Sequence, residues 1–162
     1  MIYSKKIGCH LPVKIETKLH NIENFGKFTK YLVKDNKITV GHIDIKDLPN
    51  GIEVQYIENY HPNLYSGFGK VADQIEVEHC VKRGLDNFEI VSSGSLNSHA
   101  LHYLRGKRFY SDDVNNKLAE IISKTPKGEK FDTKFLGSQK MYMPKKVIEK
   151  YLEKIKENPL LK

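Results

Sequence analysis

HPNLYSGFGK, residues 61–70, sets Gly67 and Gly69 one residue apart just before the amphipathic run Val71 to Arg83. Glycines at the point where a strand ends and a helix begins leave backbone N–H groups uncovered beside the helix N-terminus, an arrangement that holds phosphate oxygens. A plain turn has the same appearance, so the reading depends on what flanks the stretch. Upstream, residues 24–58 read as a three-stranded antiparallel meander, because FGKFTKYLVK, KITVGHIDIK and GIEVQYIE are β-rich segments parted by Asp35-Asn36 and Leu48-Pro49-Asn50-Gly51. Alternation sets Ile43 and Ile45 on one face, and likewise Ile52, Val54 and Tyr56. Val13, Ile15 and Thr17 alternate between about Leu11 and Leu19 and add a first strand.

Downstream, Val71, Ala72, Ile75, His79 and Cys80 recur at helical spacing between Gly69 and Gly84, with Gly84 as the C-terminal stop. Asn87–Ser92 is a short apolar strand. A strand, helix, strand order makes Gly51–Glu58 and Asn87–Ser92 parallel through a right-handed crossover. The glycine loop then lies at the C-terminal edge of the first strand, where open α/β sheets bind ligands. A second short helix is expected over Asn97–Arg105, and a third begins at the cap Ser111-Asp112-Asp113 and runs to about Ser123. Lys130–Met143 reads as extended. Pro144 suits the first turn of a last helix, where Val147, Ile148, Tyr151, Leu152 and Ile155 make an apolar stripe for the core or a subunit contact.

The chain has 162 residues, 39% of them hydrophobic, with nine Tyr and seven Phe. This is ordinary globular composition, and no repeat or linker divides it. The opening MIYSKKIGCHLPVKIE has no continuous apolar segment of signal-peptide kind and nothing later is long enough to span a bilayer, so a cytoplasmic protein without membrane attachment is expected. Cys9 and Cys80 are too few for a disulfide framework and are expected as reduced thiols. Twenty-seven Lys and Arg against twenty Asp and Glu give a net charge of +7 and favour an anionic partner. The basic residues are scattered instead of interleaved with aromatics, which argues against nucleic acid. His99 and His102 are half a metal site with no further ligand at matching spacing, so no metal is expected.

Strands, glycine loop, helix, strand and an Asn-x-x-Ala helix ending in an aromatic together resemble the GNAT family of acyl-CoA N-acyltransferases. The resemblance is strongest over residues 40–109. The family's cofactor loop reads Gln or Arg, x, x, Gly, x, Gly or Ala; Leu64-Tyr65-Ser66-Gly67-Phe68-Gly69 keeps both glycines and puts leucine first. In the second half Asn97, Ala100 and Phe109 match, while Arg108 stands where the family has glycine.

The resemblance implies one α/β domain over residues 1–162, with an antiparallel N-terminal meander, a parallel crossover, and helices on both faces of a mixed sheet. It implies coenzyme A as the ligand of the loop and acetyl-CoA as acyl donor. Backbone N–H groups of Phe68, Gly69, Lys70 and Val71 after Gly67 would hold the pyrophosphate, with Asn97 also on the cofactor side. The pantetheine arm would lie between the two parallel strands. A backbone N–H in Ile57-Glu58-Asn59, foremost that of Ile57, would serve the thioester carbonyl, and Glu58 would be the base. The tyrosine that protonates the thiolate falls on Leu104, one residue after Tyr103, so Tyr103 is the candidate acid; the thiolate could also leave without one, since a thiol of pKa about 8.5 is a fair leaving group. His61 and Tyr65, inside the loop, are candidate contacts to substrate or cofactor.

The expected reaction is direct transfer of an acyl group to an amine on a small molecule or a peptide. The alternative is a GNAT-fold binding or regulatory module with weakened catalysis that still grips coenzyme A. The acceptor is expected near Asn21–Phe28 and Lys130–Met143, and a homodimer is left open.

Overall fold

The computed structural model describes residues 1–22, 26–93 and 98–162. The chain begins with β1 (Ile2–Ser4) and β2 (Cys9–Leu11), continues through β3 (Lys14–Ile22), β4 (Gly26–Asp35), β5 (Ile38–Leu48) and β6 (Gly51–Asn59), and enters α1 (Phe68–Lys82) through β7 (Tyr65–Ser66). It then forms β8 (Glu89–Ser93), α2 (His99–Leu104), β9 (Arg108–Phe109), α3 (Asp112–Lys124), a 3-10 turn at Lys134–Leu136, β10 (Lys140–Tyr142) and α4 (Lys145–Glu157). Seven strands make a mixed sheet in the order β3-β4-β5-β6-β8-β10-β9, and β2-β1-β7 make a small second sheet. Among the described residues the fold is thus a mixed α/β arrangement with a large sheet and four α-helices. Among the described residues no helix is long and apolar enough to cross a membrane.

The meander forms as its turns dictate. Asn36 takes φ 51° between β4 and β5, the left-handed conformation asparagine tolerates. Beyond β6 the sheet turns parallel, with Gly51 opposite Glu89 and Val54 opposite Ser92. A Cβ on Gly51 would lie 2.0 Å from the Glu89 carbonyl oxygen, so only glycine lets the strands approach this closely. The region where the acceptor is expected, Asn21–Phe28, falls on the β3–β4 pair: Asn21 lies near the end of β3 and Phe28 in β4. Lys130–Met143 is extended only in part, since a 3-10 turn interrupts it before β10.

Two expectations are corrected. Tyr56 does not share a face with Ile52 and Val54. The β5–β6 register shifts at Asp44/Ile45, because Asp44 faces Tyr56 while Ile45 faces Val54, and Gln55 is the extra residue of a β-bulge. The bulge moves the inward position to Ile57 and turns Tyr56 out to 54% exposure. Nor is α1 amphipathic in its setting, because every residue from Val71 to Cys80 is buried. Its polar side chains find partners on other elements, as burial requires. Gln74 donates to the Asn158 carbonyl at 2.8 Å, and the Glu78 carboxylate accepts the backbone N–H of Leu160 at 2.7 Å and of Leu161 at 2.6 Å. His79 joins the Tyr31 hydroxyl to the Asp47 carboxylate, both at 2.6 Å. Burial pushes the Tyr31 phenol up to about 12.

The principal core lies between the meander and α1, and α4 covers it: Ile148 and Tyr151 are buried, with Val147, Leu152 and Ile155 packed against them. The apolar stripe of α4 is therefore core. A second cluster joins Ala100, Phe109, Leu118, Leu136 and Met141. Cys9 is exposed and Cys80 buried, both as free thiols.

Candidate functional site

Three features converge where β6 parts from β8. The first is the loop into α1. Asn59 organises it, its amide donating to the Tyr65 carbonyl at 3.3 Å and its oxygen accepting the His61 N–H at 2.9 Å. Tyr65 is buried and donates to Asp35 Oδ2 at 2.9 Å, which makes it an anchor of the loop; its ring meets that of His61 edge-on at 6.4 Å. Gly67 then turns left-handed at φ 83° and caps α1, and no side chain bonds the cap. A Cβ there would meet nothing within 4 Å, so the cap opens outward.

The N–H groups of Lys70 and Val71 return to the Gly67 carbonyl at 3.1 and 3.3 Å. Phe68 and Gly69 are the first two helical residues, whose N–H groups have no intrahelical acceptor. The side chains of Phe68 and Val71 face the core, so these two residues could meet a ligand only through backbone. A Cβ on Gly41 would lie 2.0 Å from the Glu58 carbonyl oxygen and 2.7 Å from the Phe68 ring, which locks the start of α1 onto β5 and β6.

The second feature is a charged cluster beneath the helix end. Arg105, just past α2, donates from Nε to Asp73 Oδ2 and from Nη2 to His102 Nδ1, both at 2.7 Å. His102 must be neutral to accept, and desolvation, reinforced by Lys107 and Arg105, lowers its imidazole to about 2. Lys107 is wholly buried, 2.8 Å from Glu76 Oε2, 2.7 Å from Ser92 Oγ and 3.4 Å from Asp73 Oδ1. Burial pushes the Glu76 carboxyl up to about 7, against the pull of Lys107. Ser92 faces Val54, the last residue of β6 paired with β8, so the cluster ties β8 to α1 where the strands separate.

The third feature is the separation itself. β6 and β8 are paired over 51–54 and 89–92, and among the described residues 56–59 of β6 are paired with β5 alone, Gln55 being the bulge residue between. That leaves one edge of β6 with unpaired backbone groups, a template for an extended chain carrying amides. On the outward face at the bulge, a depression of about 520 Å³ is lined by His20, Phe28, Lys30, His42, Asp44, Gln55 and Tyr56. His42 stacks on Tyr56 at 5.4 Å, shares a 2.7 Å hydrogen bond between Nδ1 and the Tyr60 hydroxyl, and lies 3.9 Å from Glu58 Oε2. Desolvation lowers its imidazole below the usual histidine value, outweighing Asp44 and Glu58.

The residues named from sequence divide accordingly. Gly67, Phe68, Gly69, Lys70 and Val71 form the first turn of α1, while Ile57 and Glu58 lie on the free stretch of β6. Asn97 lies outside the described residues. Tyr103 packs against the second cluster, and the Arg108 guanidinium sits 4.0 Å from its ring centroid. Leu104 is exposed and lines a groove with Lys70 and Arg105. His99 is buried against the Gln139 carbonyl, and among the described residues no three His, Cys, Asp or Glu side chains gather as metal ligands. His42, Arg105 and Lys107 escaped the sequence reading. A histidine on the outward face of a strand was the only signal for the first; nothing local marked the other two.

No protein-family model matches the chain, and no curated protein matches it. Among solved structures, an acetyltransferase of Bacillus subtilis in complex with CoA is 17% identical, with a TM-score of 0.49, over 80% of this chain and 98% of the other. A likeness of that size bears no weight for the chemistry, which rests on the residues above.

Proposed function

We propose that the chain is one acyltransferase domain, residues 1–162, moving an acyl group, acetyl foremost, from acyl-CoA to an amine on a small molecule or peptide. The observation that carries this reading is the parting of two parallel strands at the Gln55 bulge, with a helix N-terminus lacking any side-chain cap at the end of the same connection. The residues present fit CoA: Phe68 and Gly69 offer N–H groups to the pyrophosphate, Lys70 adds charge, and the free edge of β6 suits the pantetheine amides. Acyl-CoA would supply the thioester that the amine attacks, with CoA leaving as the thiolate.

The backbone of Ile57-Glu58-Asn59, stiffened by its ladder to β5, holds the thioester carbonyl by an N–H, Ile57 being the first candidate. Glu58 and His42 form the proton-accepting pair: the neutral imidazole takes the ammonium proton, and the carboxylate 3.9 Å away stabilises the cation formed. Tyr60 orients the ring through Nδ1. Tyr103 lies among the side chains of the second cluster, so the thiolate departs without a dedicated acid. The same packing of Tyr103 favours the second reading, a module that binds CoA and turns over slowly or not at all.

Calorimetry with acetyl-CoA, followed by a free-thiol assay across a panel of amines, tests both. Heat of binding and thiol release are expected. Neither heat nor thermal shift at millimolar acetyl-CoA would sink the proposal, and binding with no thiol release from any amine would leave the binding module.

A further inference from the structure

Arg105 breaks a local electrostatic rule. A helix N-terminus repels cations, yet this guanidinium lies across the first turn of α1, and a Cβ on Gly69 would fall 2.6 Å from Nη1. The first turn of α1 contains no acidic residue and carries Lys70 as well. Asp73, 1% exposed, is a full turn further in and holds Arg105 by Nε; the neutral His102 holds it by Nη2. The fork is therefore oriented, with Nη1 against the glycine. Asp73 balances the charge of Arg105 but leaves Nη1 over the first turn, and with Lys70 and the bare helix terminus beside it the place is positive in a way that an anion would relieve.

The surroundings extend this charge. A groove of about 630 Å³ runs from Lys70 and Arg105 to Lys150 and Lys154 of α4, with Glu153 and Glu157 also on its wall. Glu153 is engaged by Lys156 at 2.7 Å. Four cations against two carboxylates leave the groove net positive, and its size suits a nucleotide. Leu64, standing where the resemblance expects Gln or Arg, has no charge to offer, and its carbonyl is taken by the Lys5 N–H at 2.8 Å.

Resting on the acyl-CoA reading above, we propose that Arg105 replaces the missing loop side chain as the pyrophosphate-binding cation and that Lys150 and Lys154 read the 3′-phosphate of CoA. His102 and Asp73 are positioning residues for Arg105. The chain then selects the whole phosphorylated nucleotide carrier over its pantetheine arm, using a helix that lies beyond the stretch of strongest resemblance.

Calorimetry on the full chain with CoA, 3′-dephospho-CoA and pantetheine tests this. The wild type should bind CoA about 10-fold tighter than 3′-dephospho-CoA, and pantetheine more weakly still. Arg105→Met should weaken CoA and 3′-dephospho-CoA alike by about 10- to 100-fold and leave pantetheine unchanged. The double variant Lys150→Ser/Lys154→Ser should bring CoA down to the level of 3′-dephospho-CoA without touching the latter. Its two sites are exposed, so it decides the matter even if Arg105→Met unfolds. Wild-type affinity for CoA in both variants overturns the groove while leaving the acyl-CoA reading intact; a wild type that binds none of the three probes overturns both.

Discussion

Replacing Lys107 with Met removes the cation shared by two buried carboxylates. In the native cluster Asp73 and Glu76 are balanced by Arg105 and Lys107; in the variant Arg105 alone remains, 2.7 Å from Asp73, and Glu76 has lost its 2.8 Å partner. Breaking a buried pair from one side costs about 3–5 kcal/mol. Protonation of Glu76 limits that loss. Its carboxyl already titrates at about 7 with Lys107 in place, so removing the cation drives it higher still. Because this folded-state value exceeds the unfolded one, the native state holds the extra proton, and stability falls as pH rises from about 4.5 to 7. In the variant this fall should continue above 7. His102, lowered to about 2, has the opposite slope, losing stability as pH drops below 6.5, so it opposes Glu76 in the wild type. Urea unfolding followed by far-UV circular dichroism at pH 5.5 and 8.5 measures this. Lys107→Met should lose about 3–5 kcal/mol at pH 8.5 and about 1–2 kcal/mol less at pH 5.5, each unit of pKa being worth about 1.36 kcal/mol. Adding Glu76→Gln should restore at least half of the loss at pH 8.5. A loss below about 1 kcal/mol at pH 8.5, or a double variant weaker than the single one, would refute the account.

Gly69→Ala should separate folding from binding: alanine favours a helix by up to about 1 kcal/mol, but its Cβ would press on an arginine fixed by Asp73 and His102. A melting temperature within about 3 °C of wild type with several-fold weaker CoA binding is expected, whereas undiminished affinity would contradict the role of Arg105. Glu78→Ala leaves the N–H groups of Leu160 and Leu161 without their acceptor, and should cost about 2–3 kcal/mol. Hydrogen exchange at those two amides should accelerate first; protection equal to wild type would show that something else fastens the C-terminus.

The meander was legible because its turn residues and β-rich segments agree, and α1 because Gly67 and Gly84 bracket a helical period. The small strands β1 and β2 were not, since three-residue segments such as Cys9–Leu11 have no periodicity and exist only through pairing. The bulge was hidden for a similar reason. GIEVQYIE alternates as an unbroken strand would, and only the register against β5 makes Gln55 the extra residue. α1 read as amphipathic because Asp73, Gln74, Glu76 and Glu78 are polar, and their burial depends on partners at least 31 residues further along the chain, Arg105, Lys107 and Asn158–Leu161. Of the candidate site, the backbone part was legible and the side-chain part was not. Glycine announces a backbone requirement locally, whereas His42 and Arg105 become significant only through the neighbours that folding brings to them.

The two glycines that look alike in sequence answer different demands. Gly67 supplies a left-handed turn, φ 83°, with open space where a side chain would be. Gly69 is helical and needs no unusual φ; what it supplies is room for a guanidinium held from the opposite side by an aspartate and a histidine. A pattern match treats the pair as one phosphate cradle, yet only Gly67 shapes the backbone, while Gly69 admits a charge that the loop itself lacks at Leu64. On the proposed reading, anion binding at this helix end is shared between the turn at Gly67 and Arg105, 36 positions after Gly69, and Arg105 needs Gly69 as much as it needs Asp73.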